Sequence, residues 1–359
     1  MSSRTKEAYL AAIDEGWANP HRLHSESRAA RALLDGAREE IAAILGASAE
    51  HTFFTPGPEL AMERAVSGLA AARREPFTAV ASAIENQTLV RHLRSHAKER
   101  VSFVPVEETG RVDPQAFASA VRTPGVTAVA LQHGNREIGT LQDIDTAADI
   151  CAETGSSLIV DATASLGHVA PPTRWNVLLG HPADWGGPTG LGILALSPTT
   201  RWLSDLPGGK AAPSNSANVP AALAAAVALQ ERTEQRTANQ ERLAALKGRI
   251  ATAATEIPNT RVYGDDPSLP HVLSFSCMYV DGESLVAELD RAGFAVSSGS
   301  ACANDEGAHS HVIEAVGGIT HGNVRIGLPP TTSHEDIDRF LAVLPEIVAD
   351  TRAKLGAPE

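Results

Sequence analysis

Three cysteines, Cys151, Cys277 and Cys302, offer the strongest nucleophiles in the chain, and their settings differ. Cys151 falls at a helix end and Cys277 in the apolar run HVLSFSCMYV, where thiols act as small buried hydrophobes. Cys302 sits in SSGSACANDEG, a Gly/Ser-rich run that gives a thiol access to partners. The acidic ANDEG flank tends to raise its pKa and lower its thiolate fraction. His309, His311 and His321 surround this run, but the spacing of the first two does not put both on one helical face, and no metal site is expected. Asp161 ends the apolar run LIVDA and reads locally as a carboxylate that caps a helix or orders a turn. Arg325, in GNVRIGL, reads as one half of an ion pair, with Asp184 or Glu59 as its expected partner.

These residues must be positioned by regular elements. Between residues 26 and 200 helical patterns (RAARALLDGAREEIAAIL, ELAMERAVSGLAAA, QTLVRHLRSHAKER, PQAFASAVR, IDTAADICAETG) alternate with short apolar runs (FTAVAS, VSFVPV, VTAVALQH, SLIVDA, GILALS). Such alternation predicts a largely parallel sheet between helices. The loop-like stretch SDLPGGKAAPSNSANVP follows, then a long Ala-rich helix ending near Thr255. Strands are expected around Arg261–Tyr263, His271–Cys277, Phe294–Ser297 and Asn323–Ile326, and helices at Glu283–Ala292 and His334–Ala349. At 359 residues the chain exceeds one ordinary core. The expected division is an N-terminal segment, 1–25, packing on the small domain, a large domain, 26–225, and a smaller C-terminal α/β domain, 226–359, carrying the Cys302 loop.

A net charge of −13 argues against nucleic acid, whose binding needs excess Lys and Arg. No apolar run has membrane-spanning length and the N-terminus has no signal-peptide pattern, so a cytoplasmic protein without membrane contact is expected.

VSSGSACANDEGAHSHVIEAVGG, followed by GNVRIGLPPTTSHEDIDRFLAVL, resembles the C-terminal domain of the cysteine desulfurases. HGNREIGTLQDI, LIVDATASLGH and GGPTGLGIL follow that family's order and spacing. The resemblance implies an α/β fold of type I among the pyridoxal-phosphate enzymes, in the class V aminotransferase branch, and a homodimer. It also implies that Asp161 matches the aspartate that holds the pyridine nitrogen, Cys302 the cysteine that attacks substrate sulfur, and Arg325 the arginine that receives the substrate carboxylate.

Against the same pattern, the lysine that forms the aldimine is replaced by Asp184, counted back from Gly187-Pro188, and the preceding histidine by Ala183. No lysine occurs between Lys98 and Lys210. The phosphate turn reads Pro56-Gly57-Pro58-Glu59-Leu60; the prolines remove N–H donors and Glu59 repels a dianion. The ring-stacking histidine becomes Asn86, the asparagine beside the ring Arg136, and the glutamine on the phenolic oxygen Ala164. The partner subunit's phosphate motif reads Asn215-Ser216-Ala217-Asn218. Lys210, in a Gly-Gly-Lys loop, reads as a solvated lysine.

The cofactor implied by resemblance is pyridoxal phosphate, without a covalent link. The expected function is that of a noncatalytic homodimer: a partner, scaffold or sulfur carrier through Cys302, working with a sulfur acceptor or iron-sulfur assembly protein. Two alternatives are an active desulfurase, lyase or aminotransferase with an atypical site, and a binder of a small anion held by Arg136 and Arg325.

Overall fold

A computed structural model describes residues 1–204, 206, 218–298 and 309–356. Cys302, Lys210 and Asn215 to Ala217 lie outside the described residues. Two compact units emerge. The first comprises residues 1–104, 114–133 and 142–236, and the second 105–113, 134–141 and 237–359.

In the first unit the chain runs α1 (Ser3–Glu15), α2 (Ser25–Leu45), β1 (Thr52–Thr55), α3 (Gly57–Ala71), β2 (Ala79–Ser82), α4 (Gln87–Ala97), β3 (Val101–Val104), α5 (Pro114–Val121), β4 (Ala128–Gln132), α6 (Ile144–Thr154), β5 (Ser157–Asp161), β6 (Val177–Gly180), β7 (Gly192–Leu196) and α7 (Val219–Glu234). Among the described residues seven strands form one sheet in the order β1-β7-β6-β5-β4-β2-β3. Strand β7 runs antiparallel to both its neighbours; the other six point the same way. Every residue of β4, β5 and β7 is buried. Such continuous apolar strands need cover on both faces, which is why they read as unbroken runs rather than alternations.

The second unit contains α8 (Arg236–Glu256), whose first residue still belongs to the first unit, then β8 (Thr260–Tyr263), β9 (Val272–Cys277), α9 (Gly282–Arg291), α10 (His311–Ala315), β10 (Asn323–Gly327) and α11 (His334–Lys354). Its antiparallel sheet has the order β10-β9-β8. Phe275, fully buried on β9, sits in a core with Leu246, Leu285, Val324, Phe340 and Leu344.

The expected architecture, a large mostly parallel sheet flanked by helices with a smaller α/β unit, is the one found. The details differ in several places. The boundary falls after Arg236 rather than after residue 225, and residues 105–113 and 134–141 join the second unit. Residues 1–25 stay in the first unit, where α1 packs on α7 and α2 and Arg4 pairs with Glu234 at 3.0 Å. The Ala-rich helix is two helices, broken at Gln235, and Phe294–Ser297 contributes only a bridge from Ser297 to Arg325. Cys151 and Cys277 are buried as expected, and desolvation pushes the Cys151 thiol up to about 12. No described helix is long and apolar enough to cross a membrane.

Removing the Phe275 ring opens a cavity in the second core, so Phe275→Ala is expected to cost roughly 3–5 kcal/mol. The urea midpoint followed by far-UV circular dichroism should fall. All four tryptophans, Trp17, Trp175, Trp185 and Trp202, lie in the first unit, so their fluorescence reports whether the loss stays in the second. An unchanged dichroism midpoint would contradict this core assignment.

Candidate functional site

In the first unit the carboxyl ends of β2, β4 and β5 face the same way, because these strands are parallel. Chain leaving such ends turns away from the sheet, and the crest between the turns is where open α/β sheets take ligands. Gln132 ends β4 and Asp161 ends β5, paired in register.

Asp161 is buried, and the protein itself occupies both of its oxygens. Oδ1 accepts hydrogen bonds from the Thr163 amide at 2.9 Å and the Thr163 hydroxyl at 2.6 Å, the turn-ordering role read from the sequence. Oδ2 accepts one from Asn86 Nδ2 at 3.0 Å. Asn86 is also the N-cap of α4, its Oδ1 accepting from the Thr88 amide at 3.0 Å. One side chain therefore starts a helix and holds a strand end.

Sequence reasoning missed the residue beside it. Glu85 is fully buried; its oxygens accept from the Asn86 amide at 3.0 Å and the Gln132 amide at 2.7 Å. Burial, with the Asp161 charge added, pushes its carboxyl up to about 8. Two carboxylates this deep do not both ionise readily, so Glu85 holds a proton at neutral pH. The available signal was an acid in SAIENQ, directly after a buried strand. His133, also missed, contacts the Ser165 hydroxyl at 2.9 Å through Nδ1, and desolvation pushes it down to about 4.

The position of the absent lysine lies in a short 3-10 turn, Pro182–Trp185. Asp184 Oδ2 meets His181 Nδ1 at 3.1 Å, and its backbone carbonyl meets His168 Nε2 at 2.8 Å. Trp185 is buried, donating its indole N–H to the Ala225 carbonyl at 3.0 Å, and Arg232 Nε donates to the Trp185 carbonyl at 3.0 Å. Gly167, at φ +80°, lets the turn approach closely: a Cβ there would lie 2.7 Å from Trp185 Cβ. At the N-terminus of α3, Glu59 folds back so that a Cβ on Gly57 would lie 2.7 Å from Oε2. A carboxylate in the first turn of α3 therefore sets a negative charge where the helix dipole would favour an anion. Ala164 is buried.

The second unit, taken by itself, contains Arg325 on β10, opposite Ser274 of β9. Within this unit the Arg325 charge acts to lower the pKa of Glu137; Asp184 and Glu59, the expected partners, belong to the first unit. Glu137 is buried, accepts from the Ser310 hydroxyl at 2.7 Å, and is raised by desolvation against the opposing pull of Ser310 and Arg325. Ser310 also caps α10. Arg136, in the same hairpin, is exposed. His309 and His321 meet edge to face at 4.7 Å.

These donors do not fit a pyridoxal phosphate held through a lysine. A carboxylate stands at the lysine position, the Asp161 oxygens are already bonded, and Glu59 opposes phosphate at the helix start.

The Aminotransferase class-V family model matches residues 3–340. Cysteine desulfurase IscS 1 of Archaeoglobus fulgidus is 30% identical over 366 residues, covering 98% of this chain and 95% of that protein. Cysteine desulfurase NifS of Azotobacter vinelandii is 30% identical over 367 residues, covering 96% and 89%. A solved NifS-like protein superposes with a TM-score of 0.89 at 22% identity, covering 98% of this chain and 96% of that one. The apo cysteine desulfurase of Thermococcus onnurineus NA1 gives 0.82 at 20% identity, covering 97% and 94%.

The crest carries a signed pH dependence. Glu85 binds its proton more tightly when folded, so between 4.5 and about 8 its contribution falls as pH rises. His133 binds its proton less tightly when folded, so its contribution rises between about 4 and 6.5. The two oppose each other up to 6.5; above that Glu85 acts without His133. Chemical denaturation should show stability falling by roughly 1–2 kcal/mol from pH 6.5 to 8. Glu85→Gln should flatten that fall, and an equally steep profile in the variant would refute the assignment.

Proposed function

Because the chain belongs to the cysteine desulfurase group of the class V aminotransferase family, we propose that it serves sulfur transfer or iron-sulfur metabolism as a noncatalytic partner or sulfur carrier. In this reading no pyridoxal phosphate is bound through a lysine. The observation that carries it is the state of Asp161. Its carboxylate is already bonded by Thr163 and Asn86, and its charge acts on a second buried acid, Glu85, so a pyridine nitrogen would have to compete with the protein's own donors. Asp184, bonded to His181, supports the same reading.

The family is pyridoxal-phosphate-dependent, and the names of the relatives favour the alternative of an active enzyme with an atypical site. A cytoplasmic homodimer is part of the proposal.

Without the cofactor, Cys302 retains one balanced role. Its thiolate attacks the outer sulfur of a donor persulfide, the donor S–S bond breaks, and the donor leaves as a thiolate. The sulfane sulfur ends on Cys302, with no external oxidant or reductant. An acceptor thiolate reverses the exchange.

Absorbance of the purified protein with added pyridoxal phosphate separates the readings. No aldimine band that borohydride makes permanent is expected, either in the natural chain or in Asp184→Lys, because Asn86 and Glu59 remain. A permanent band in the natural chain would establish the active-enzyme reading instead. Intact mass after exposure to a persulfide donor should show one added sulfur, lost in Cys302→Ser; an equal adduct in that variant would remove the carrier role.

A further inference from the structure

Lysine is scarce in this chain, at residues 6, 98, 210, 247 and 354, and Lys247, on α8 in the second unit, is held unlike the other described ones. Its Nζ donates to the Ser268 hydroxyl at 2.6 Å and to the Leu269 carbonyl at 2.9 Å, both neutral oxygens. The Ser268 hydroxyl in turn donates to Asp266 Oδ1 at 2.9 Å. Lys247 and Ser268 are half-buried, whereas Asp266 is exposed. Lys6, Lys98 and Lys354 are all exposed, and Lys354 pairs with Glu288 at 2.7 Å.

A staple between helix and loop accounts for the bond to Leu269, whose own amide donates to the Gly139 carbonyl at 2.7 Å. It does not account for an ammonium that meets a carboxylate only through a hydroxyl. Burial disfavours the charged amine and holds it below the usual lysine range, against the opposing pull of Asp266. The hydroxyl is also a path for a proton. Nζ can give one to Ser268 Oγ as Oγ gives its own to Asp266, so the three side chains stand in the order nucleophile, relay and base.

We propose that Lys247 is a site of acyl modification, its amine accepting an acyl group from an uncharged thioester, with Ser268 and Asp266 as positioning residues. Nζ attacks the thioester carbonyl, a C–N bond forms, the C–S bond breaks and a thiolate leaves. The proton lost from nitrogen passes through Ser268 to Asp266 and then to the thiolate, so no oxidant or reductant is needed. Charge selects the donor. Asp265, exposed and accepting from the Asp266 amide, adds a second carboxylate that repels acyl phosphates. The neighbouring cation, Arg111, donates to the Asp266 backbone carbonyl. Acylation leaves one N–H for two acceptors, so it also releases a bond between α8 and this loop. None of this depends on whether pyridoxal phosphate binds the first unit.

The full-length protein is incubated with N,S-diacetylcysteamine, a small uncharged acetyl thioester, and acetylation at each lysine is followed by peptide mass spectrometry. Lys247 should react about fivefold or more faster than Lys6 or Lys98. Ser268→Ala and Asp266→Asn should each remove most of that advantage and leave Lys6 and Lys98 unchanged. Ser268→Thr, which keeps the hydroxyl, should restore it, and dichroism checks folding. Acetyl phosphate in the same assay should favour Lys247 less. Lys247 reacting no faster than Lys6, an advantage that survives both Ser268→Ala and Asp266→Asn, or an equal preference with acetyl phosphate would overturn the proposal.

Discussion

A pair of buried carboxyl groups, Glu85 and Asp161, organises the crest of the main sheet. Asp161 ends β5 and Glu85 follows β2, with β4 between these strands, and the backbone amides of Asn86 and Gln132 together with the hydroxyl of Thr163 supply hydrogen bonds to the two carboxyl groups. With one group neutral, the cost of burying the pair is mainly polar desolvation, which these donors offset. With both ionised, a second uncompensated charge would sit at the ends of β2, β4 and β5. The turn after β2, the start of α4 and the turn after β5 are all tied to these two side chains.

That constraint decides what the crest can accept. Asn86 spans 75 residues of sequence to reach Asp161 while capping its own helix, so freeing Asp161 for a ligand would also loosen the start of α4. The Pro182–Trp185 turn is fixed separately, by a tryptophan sunk into the core and by Arg232 and His168 on its carbonyls. A lysine introduced at residue 184 would enter a turn held by Trp185, Arg232 and His168. The crest combines the geometry of a ligand site with bonds that close on themselves.

Much of this fold was legible because buried parallel strands are unbroken apolar runs and their helices keep a 3.6-residue period. Length alone does not separate what escaped. β1 and β6 were not read as strands, although β2 and β3, equally four residues long, were, and the break between α7 and α8 has no Gly or Pro to mark it. Individual site positions were legible as departures from a family pattern, but not their consequences. Asn86 read as a lost aromatic face, whereas the structure makes it a donor to Asp161. Glu85 and Glu137 passed as ordinary acids; only burial distinguishes them.

The two buried acids that the sequence concealed point to a common physical logic. Glu137 sits between the Ser310 hydroxyl and the field of Arg325, as Glu85 sits between two amides and the charge of Asp161, and burial raises both. Each fixes a loop rather than facing solvent: Glu137 holds the residue that caps α10, and Glu85 the turn that leads into α4. Cations and donors that a small anion would otherwise seek are therefore satisfied from within each unit.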